Sequence, residues 1–345
     1  MKAGVIYGTG DIRYDDFPDP SCGATDLIIK VAACGICGSD APRILQQWKY
    51  PLPQVPGHEF VGTIAEMGKQ VHGFQIGQKV VIQPFIPCGT CENCREGHIS
   101  MCNHAQMLGA DLPGGYAEYC RVPMKNVRAL GDVSLEEAAL LEPCAVALYG
   151  VLGIAPKIGE TVAIMGCGTI GQLALQWLRL AGVGNIIAVD ISAKKLTEAQ
   201  ALGADICVHA KTQDSVQGVL EATHGMGVDI ALETAGSKIT QEQCLRVTKK
   251  RGRIGFMGIA RSDILLPEKS FENIFRHELT LKGFWNSYSA PFPGEAWLKS
   301  MEALATGKIQ LKSFISHRFP LSKVREVFQM IQERREAYNK ILFVM

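Results

Sequence analysis

Four cysteines crowd into the segment 88–102 with the spacing Cys88-x2-Cys91-x2-Cys94-x7-Cys102. Four thiolates supplied by one loop can close a tetrahedron around zinc. The competing readings are four unrelated buried cysteines and an iron–sulfur cluster, whose usual sequence signals differ. A closed four-thiolate site leaves no position for a substrate. It pins a loop and identifies no reaction.

A second set points to chemistry. Cys37 lies in Gly35-Ile36-Cys37-Gly38-Ser39-Asp40, and His58 and Glu59 follow Gly57. Cysteine, histidine and carboxylate are the ligand types of a zinc that keeps one position for a reacting oxygen. Asp40 is placed to accept the second ring N–H of His58 and fix the imidazole's orientation. Glu142, flanked by apolar residues in LLEPCAVAL, is a further carboxylate ligand candidate. Its alternative role is a helix-start acid facing the positive end of the helix dipole.

The third set is Gly166-Cys167-Gly168-Thr169-Ile170-Gly171. It follows the apolar run TVAIM and opens the helical pattern QLALQWLRLAG, and Asp190 ends the next apolar run, NIIAVD. In that context the glycine turn is a dinucleotide fingerprint, with pyrophosphate at the helix N-terminus. Asp190 would accept hydrogen bonds from the ribose hydroxyls and repel a 2′-phosphate, so NAD is expected over NADP.

The elements that must position these residues fall into two textures. Up to about residue 145 the chain is rich in Val, Gly and Pro, with β-type runs such as DLIIKVAAC and KVVIQPF broken by turns. From TVAIM onward, short apolar strands alternate with helices closed by glycine, through DICVHA, VDIALETAG and GRIGFMG. That alternation predicts right-handed βαβ crossovers and a parallel sheet. After Trp285 it stops. A helix over Ser322–Glu333 and a last strand, KILFVM, are placed to return to the first domain.

Composition bounds the classes. The chain has 345 residues, 47% hydrophobic and 20% charged, with a net charge of +1, which fits two globular domains. Basic residues are spread along the chain, so neither nucleic acid nor a membrane surface is an expected partner. No apolar stretch reaches the roughly 20 residues that cross a bilayer, and the start of the chain turns polar too early for a secretory signal. A cytoplasmic location is therefore expected. Twelve cysteines without an export signal favour metal binding over disulfides. Cys22, Cys34, Cys120, Cys144, Cys167, Cys207 and Cys244 read as small apolar residues, and the histidines other than His58 as ordinary surface or core residues.

In this order, GICGSD, PGHEFVG, GGYAEY, LEP and GCGTIG resemble the zinc-containing medium-chain dehydrogenase/reductase family over the whole chain. The resemblance implies an α/β fold. A GroES-like, mostly-β catalytic domain (1–145 and 294–345, with the zinc loop 88–102) would accompany a doubly wound Rossmann domain (146–293), with a cleft between them. It implies two zinc ions per chain, NAD, cofactor contacts from Gly166, Gly168, Thr169, Ile170, Gly171, Asp190, Lys195 and Gly258, and a proton relay starting at Ser39. Glu142, in LEP, stands where simple alcohol dehydrogenases carry a cysteine and is similar to the polyol branch. Either Glu59 or Glu142 completes the set of Cys37 and His58. Pro42 occupies the place of a relay histidine, so the proton must leave by another path. GSDAPRI, ETAG and WNSYSAPFPGEAW are similar to members acting on hexitol phosphates. Arg43 and Lys49 would then bind the phosphate, and Asn286, Ser287 and Tyr288 the hydroxyls. The alternatives are another polyol, a threonine-type substrate, or a non-catalytic zinc-stabilised dinucleotide-binding regulator. TLKGFW is placed to pair across a two-fold axis, giving a homodimer or homotetramer.

Overall fold

The computed structural model describes residues 1–260 and 262–345. These form two compact units, Met1–Glu142 with Tyr288–Met345, and Pro143–Ser287.

The first unit is organised around the strand Asp26–Gly35. Its sequence DLIIKVAACG is apolar on both faces, and only Lys30 is exposed. A strand covered on both sides reads as a continuous apolar run rather than an alternation. It pairs antiparallel with Glu59–Met67, with Tyr119–Pro123 and with Lys340–Val344. The seven-stranded sheet continues from Glu59–Met67 to Lys79–Ile82 and Val127–Ala129, and from Lys340–Val344 to Ile315–Pro320. The register brings Gly35 opposite Glu59 on one side and opposite Leu342 on the other. Three segments far apart in sequence therefore meet at one end of one strand. Phe60, Tyr116, Phe328 and Phe343 fill the core beside them. The expected final helix and strand are Val324–Glu333 and Lys340–Val344, and the strand joins this unit's sheet.

The second unit is a sheet of six parallel strands. Their order is Ile206–His209, Asn185–Asp190, Thr161–Met165, Val228–Glu233, Thr248–Phe256, Thr280–Gly283. The chain winds outward on one side of Thr161–Met165, returns, and winds outward on the other. This is the doubly wound Rossmann order, with a switch point between Thr161–Met165 and Val228–Glu233. Ala163, Met165, Ile187, Val189, Val208, Ala231 and Ile254 build its core. The outermost strand, Thr280–Gly283, is exposed along its length. Among the described residues, no helix is long and apolar enough to cross a membrane.

Candidate functional site

The cysteine loop brings its four Sγ atoms within 4.8 Å of one another. Cys88 lies 3.5 Å from Cys102 and 4.0 Å from Cys94, and Cys91 lies 3.9 Å from Cys102. Zinc–sulfur bonds of about 2.3 Å in a tetrahedron put the sulfurs roughly 3.8 Å apart, whereas a disulfide needs about 2.05 Å. The amides of Thr90 and Cys91 donate to Cys88 Sγ, and the amide of Cys88 donates to Cys102 Sγ. Those backbone donors hold the Cys88 thiol down at about 5, while burial pushes Cys94 up to about 12. Four crowded sulfurs cannot all ionise without a cation between them. The loop fits zinc and offers no open position. It also supports the first unit mechanically: Ser100 Oγ donates to the Tyr288 carbonyl at 2.8 Å and accepts from the Tyr288 amide at 2.9 Å.

Cys37 leaves the central strand just beyond Gly35, beside the start of the strand Glu59–Met67. Ligand atoms of Cys37, His58 and Glu59 lie within 4.8 Å of one another. His58 and Glu59 are buried. Asp40 Oδ2 accepts from the Cys37 amide at 3.0 Å and from the Tyr116 hydroxyl at 2.9 Å. Its other oxygen stands 3.5 Å from His58 Nδ1, within ion-pair range, but that ring nitrogen makes no hydrogen bond. Asp40 thus faces His58 as its sequence position suggests, and Tyr116 holds Asp40 from behind. Ser39 Oγ donates to Cys37 Sγ at 3.2 Å.

Glu142 is the second residue of the helix Leu141–Ile154 and is buried. Burial, then the charges of Glu59 and Cys37, raise its carboxyl to about 8 against the pull of His58 and Lys340. Burial, then Glu59 and Asp40, push the Cys37 thiol to about 11. A desolvated cluster of anionic donors that resists ionising is what a divalent cation relieves. The donor set therefore fits zinc.

Sequence reasoning missed two residues of this cluster. Lys340 is buried, and its ammonium donates to both Glu59 oxygens, at 2.9 and 2.6 Å, and to the Ile36 carbonyl at 3.0 Å. Burial works against its charge, but Glu59 and Cys37 prevail and raise its pKa. Its only sequence signal is a lysine opening an otherwise apolar strand. Tyr116 sits inside GGYAEY, with no local hint that its hydroxyl reaches Asp40.

In the second unit, Gly166 has φ of +107°, open to glycine and strained for other residues. A Cβ at Gly171 would run into the Gly166 carbonyl, whereas one at Gly168 would meet only Lys195 Nζ, at 3.9 Å. The space above the turn is thus clear where the helix Thr169–Leu180 begins. Thr169 and Ile170 form its first turn. Asp190 ends its strand with Oδ2 accepting from the Cys167 amide at 2.7 Å and Oδ1 from the Ser192 amide at 2.8 Å. Gly258 packs so tightly on Gly236 and Glu233 that a Cβ would not fit. The turn fits a dinucleotide phosphate.

The candidate substrate residues are spread out. Arg43 lies in the helix Asp40–Leu45 with its guanidinium over the Tyr50 ring, 5.6 Å from the centroid, and Lys49 is exposed. Asn286 takes a left-handed φ of +59°, and Ser287 is buried. Tyr288 is buried with its ring stacked on Phe85, Phe292 and Trp297.

Comparison with known proteins covers both units. The alcohol dehydrogenase GroES-like domain matches residues 23–132, and the zinc-binding dehydrogenase domain matches residues 169–302. Galactitol 1-phosphate 5-dehydrogenase of Escherichia coli K12 is 34% identical, with all of both chains covered. The crystal structure of the E. coli galactitol-1-phosphate dehydrogenase superposes with a TM-score of 0.94 at 31% identity, covering 100% of each chain. Sorbitol dehydrogenase of Bacillus subtilis 168 is 29% identical over 99% of this chain and 96% of that one. A zinc-binding dehydrogenase of Sinorhizobium meliloti, bound to NADP, superposes with a TM-score of 0.90 at 30% identity over 100% and 99%.

Proposed function

The chain belongs to the zinc-containing medium-chain dehydrogenase/reductase family, an oxidoreductase family, and on that premise we propose that it oxidises a secondary hydroxyl of a sugar alcohol or sugar-alcohol phosphate with NAD. Galactitol 1-phosphate, giving tagatose 6-phosphate, is the first choice. The observation that carries this reading is the convergence of Cys37 with the buried His58 and Glu59, whose charges act on the buried Glu142 carboxyl. Cys37, His58 and a glutamate would hold the catalytic zinc, and Cys88, Cys91, Cys94 and Cys102 the structural one.

Zinc at the first site would supply the positive charge that lowers the pKa of the bound hydroxyl. NAD supplies the hydride acceptor. The protein's own residues do the rest. Asp40, held by Tyr116, sets the face His58 presents. Ser39 would hydrogen-bond the substrate hydroxyl and accept its proton while releasing its own Oγ proton toward solvent, so that it stays neutral. The amides at the Thr169–Leu180 helix start receive the pyrophosphate, with Lys195 and Gly258 beside it. Asp190, anchored by two backbone amides, receives the ribose hydroxyls and disfavours a 2′-phosphate. Arg43, braced on Tyr50, and Lys49 supply positive charge for a substrate phosphate. Asn286, Ser287 and Tyr288 provide polar contacts to the polyol. The exposed outer strand Thr280–Gly283 supports a homodimer or homotetramer.

The test is NADH formation with galactitol 1-phosphate, galactitol, sorbitol, L-iditol and threonine, repeated with NADP. Turnover highest on the phosphorylated hexitol with NAD is expected. Arg43→Ala should then raise KM for that substrate about tenfold or more and leave the free hexitol nearly unchanged. Preference for a free polyol would retire the phosphate assignment. No turnover on any substrate would favour a dinucleotide-binding regulator.

A further inference from the structure

Ser100 lies in the cysteine loop, two residues before Cys102. Within 88–102 only Cys94, Ile99 and Ser100 are buried. A loop with so little apolar burial draws its order from the metal its thiolates hold. Yet this loop grips a segment 188 positions away. Ser100 Oγ donates to the Tyr288 carbonyl at 2.8 Å and accepts from the Tyr288 amide at 2.9 Å, and the Ser100 amide donates to the same carbonyl at 3.3 Å. One serine thus satisfies both backbone groups of Tyr288. Beside it, the Ala290 amide donates to the Gly97 carbonyl at 3.3 Å. A Cβ at Gly97 would already press on Ala290 Cβ at 3.2 Å, so the two segments lie in close contact. The gripped residue is the point at which the chain rejoins the first unit, which runs to Glu142 and resumes at Tyr288. Tyr288 is held at its backbone by Ser100 and at its ring by the stack of Phe85, Phe292 and Trp297. Burial, then the charge of Glu142, raises its phenol well above the usual range, so the hydroxyl stays protonated.

We propose that Ser100 is a positioning residue, through which the metal-held cysteine loop fixes Tyr288, and Asn286 and Ser287 just before it, in the orientation that binds the polyol. This rests on the zinc dehydrogenase reading above. Ser100 touches neither substrate nor cofactor in this scheme and acts through the backbone of Tyr288. The cysteine centre then sets how well the polyol is bound and leaves the rate of the chemical step to the assembled centre.

The experiment compares the wild type with Ser100→Ala and Cys91→Ser. It measures zinc per chain, hydrogen exchange of the peptide carrying residues 286–292, and steady-state kinetics on galactitol 1-phosphate and on the free hexitols. Ser100→Ala should keep both zincs and speed exchange in that peptide about tenfold. It should raise KM for the polyol about tenfold, with kcat and the KM for NAD within about threefold of wild type. Cys91→Ser, which loses the loop's zinc, should show the same faster exchange and higher polyol KM with Ser100 intact. Unchanged exchange in Ser100→Ala overturns the proposal, and so does faster exchange with an unchanged polyol KM. A serine that merely fills hydrogen bonds would lower the melting temperature and leave that KM alone. Equal losses toward polyol and NAD would show a general structural role and also overturn it. If a variant does not fold, the wild type treated with a chelator decides: exchange in this peptide should rise as zinc leaves the cysteine loop, and exchange that stays slow after both zincs are gone fails the proposal. A wild type that turns over no polyol fails the dehydrogenase reading, and the substrate role with it, while exchange still shows whether the loop holds Tyr288.

Discussion

The two candidate metal centres differ in how they are built. The cysteine centre is local: all four sulfurs come from residues 88–102, and backbone amides of the same loop support them. The other is assembled across a sheet from Cys37, His58, Glu59 and Lys340, with Lys340 and Ile36 304 positions apart. The local centre is saturated by sulfur. The assembled one mixes ligand types, resists ionising without a metal and has its own cation. Saturation suits a strut, and a mixed set held by outside partners suits a site that leaves a position for a substrate. Perturbing the first should therefore cost stability, and perturbing the second chemistry.

The largest expected effect lies in the assembled centre. Replacing Cys37 or His58 with alanine should lower turnover by a factor on the order of 1,000 or more, because the charge that activates the hydroxyl is lost. Binding of the dinucleotide, followed by fluorescence titration, should persist. Near-wild-type rates in either variant would remove this cluster from the reaction. The local centre should respond differently. Cys91→Ser is expected to lose one zinc per chain and several degrees of melting temperature, since structural zinc contributes folding free energy. Unchanged metal content and melting would contradict the assignment.

A subtler test separates support from ligation. Tyr116→Phe removes only the hydroxyl that donates to Asp40. Loss of such an outer partner costs about tenfold in metal affinity or activity, with the cysteine zinc untouched. Equal loss of both zincs would show that Tyr116 supports the fold rather than the site. The smallest effect concerns pH. In the metal-free protein the Glu142 carboxyl is raised from 4.5 to about 8. The folded state therefore holds that proton more tightly than the unfolded chain does. The resulting stability is full below 4.5 and is lost as pH rises through about 8. Zinc replaces the proton, so the melting-temperature gap between zinc-loaded and zinc-stripped protein should widen from pH 5 to pH 8. A constant gap would mean Glu142 does not face the metal.

The same contrast explains what was legible in the sequence. The cysteine loop could be read directly, because ligand spacing within one loop is geometry written along the chain. The alternation from TVAIM to GRIGFMG could be read for a similar reason: strand and helix periods are local, and the parallel sheet follows from them. Cys37, His58 and Asp40 could be named from their types and flanking glycines, since each motif is short. Lys340 could not. Its role depends on the last strand pairing with Asp26–Gly35 in a register that sets Leu342 opposite Gly35, and no spacing rule carries such a pairing. Tyr116 was hidden for the same reason. The aromatic stack that buries Tyr288 likewise draws on Phe85, in a distant segment.

The central strand also has a consequence for how the molecule comes into being. Because Asp26–Gly35 takes partners from both early and late parts of the chain, the mixed centre cannot be complete until Lys340–Val344 has docked. Contacts closing so long a loop form slowly. The cysteine loop can capture its ion while much of the chain is still disordered. The mixed centre gains the counter-ion of Glu59 only in the last steps of folding. During refolding from denaturant with zinc present, the two ions should therefore enter in sequence, the cysteine-bound one first.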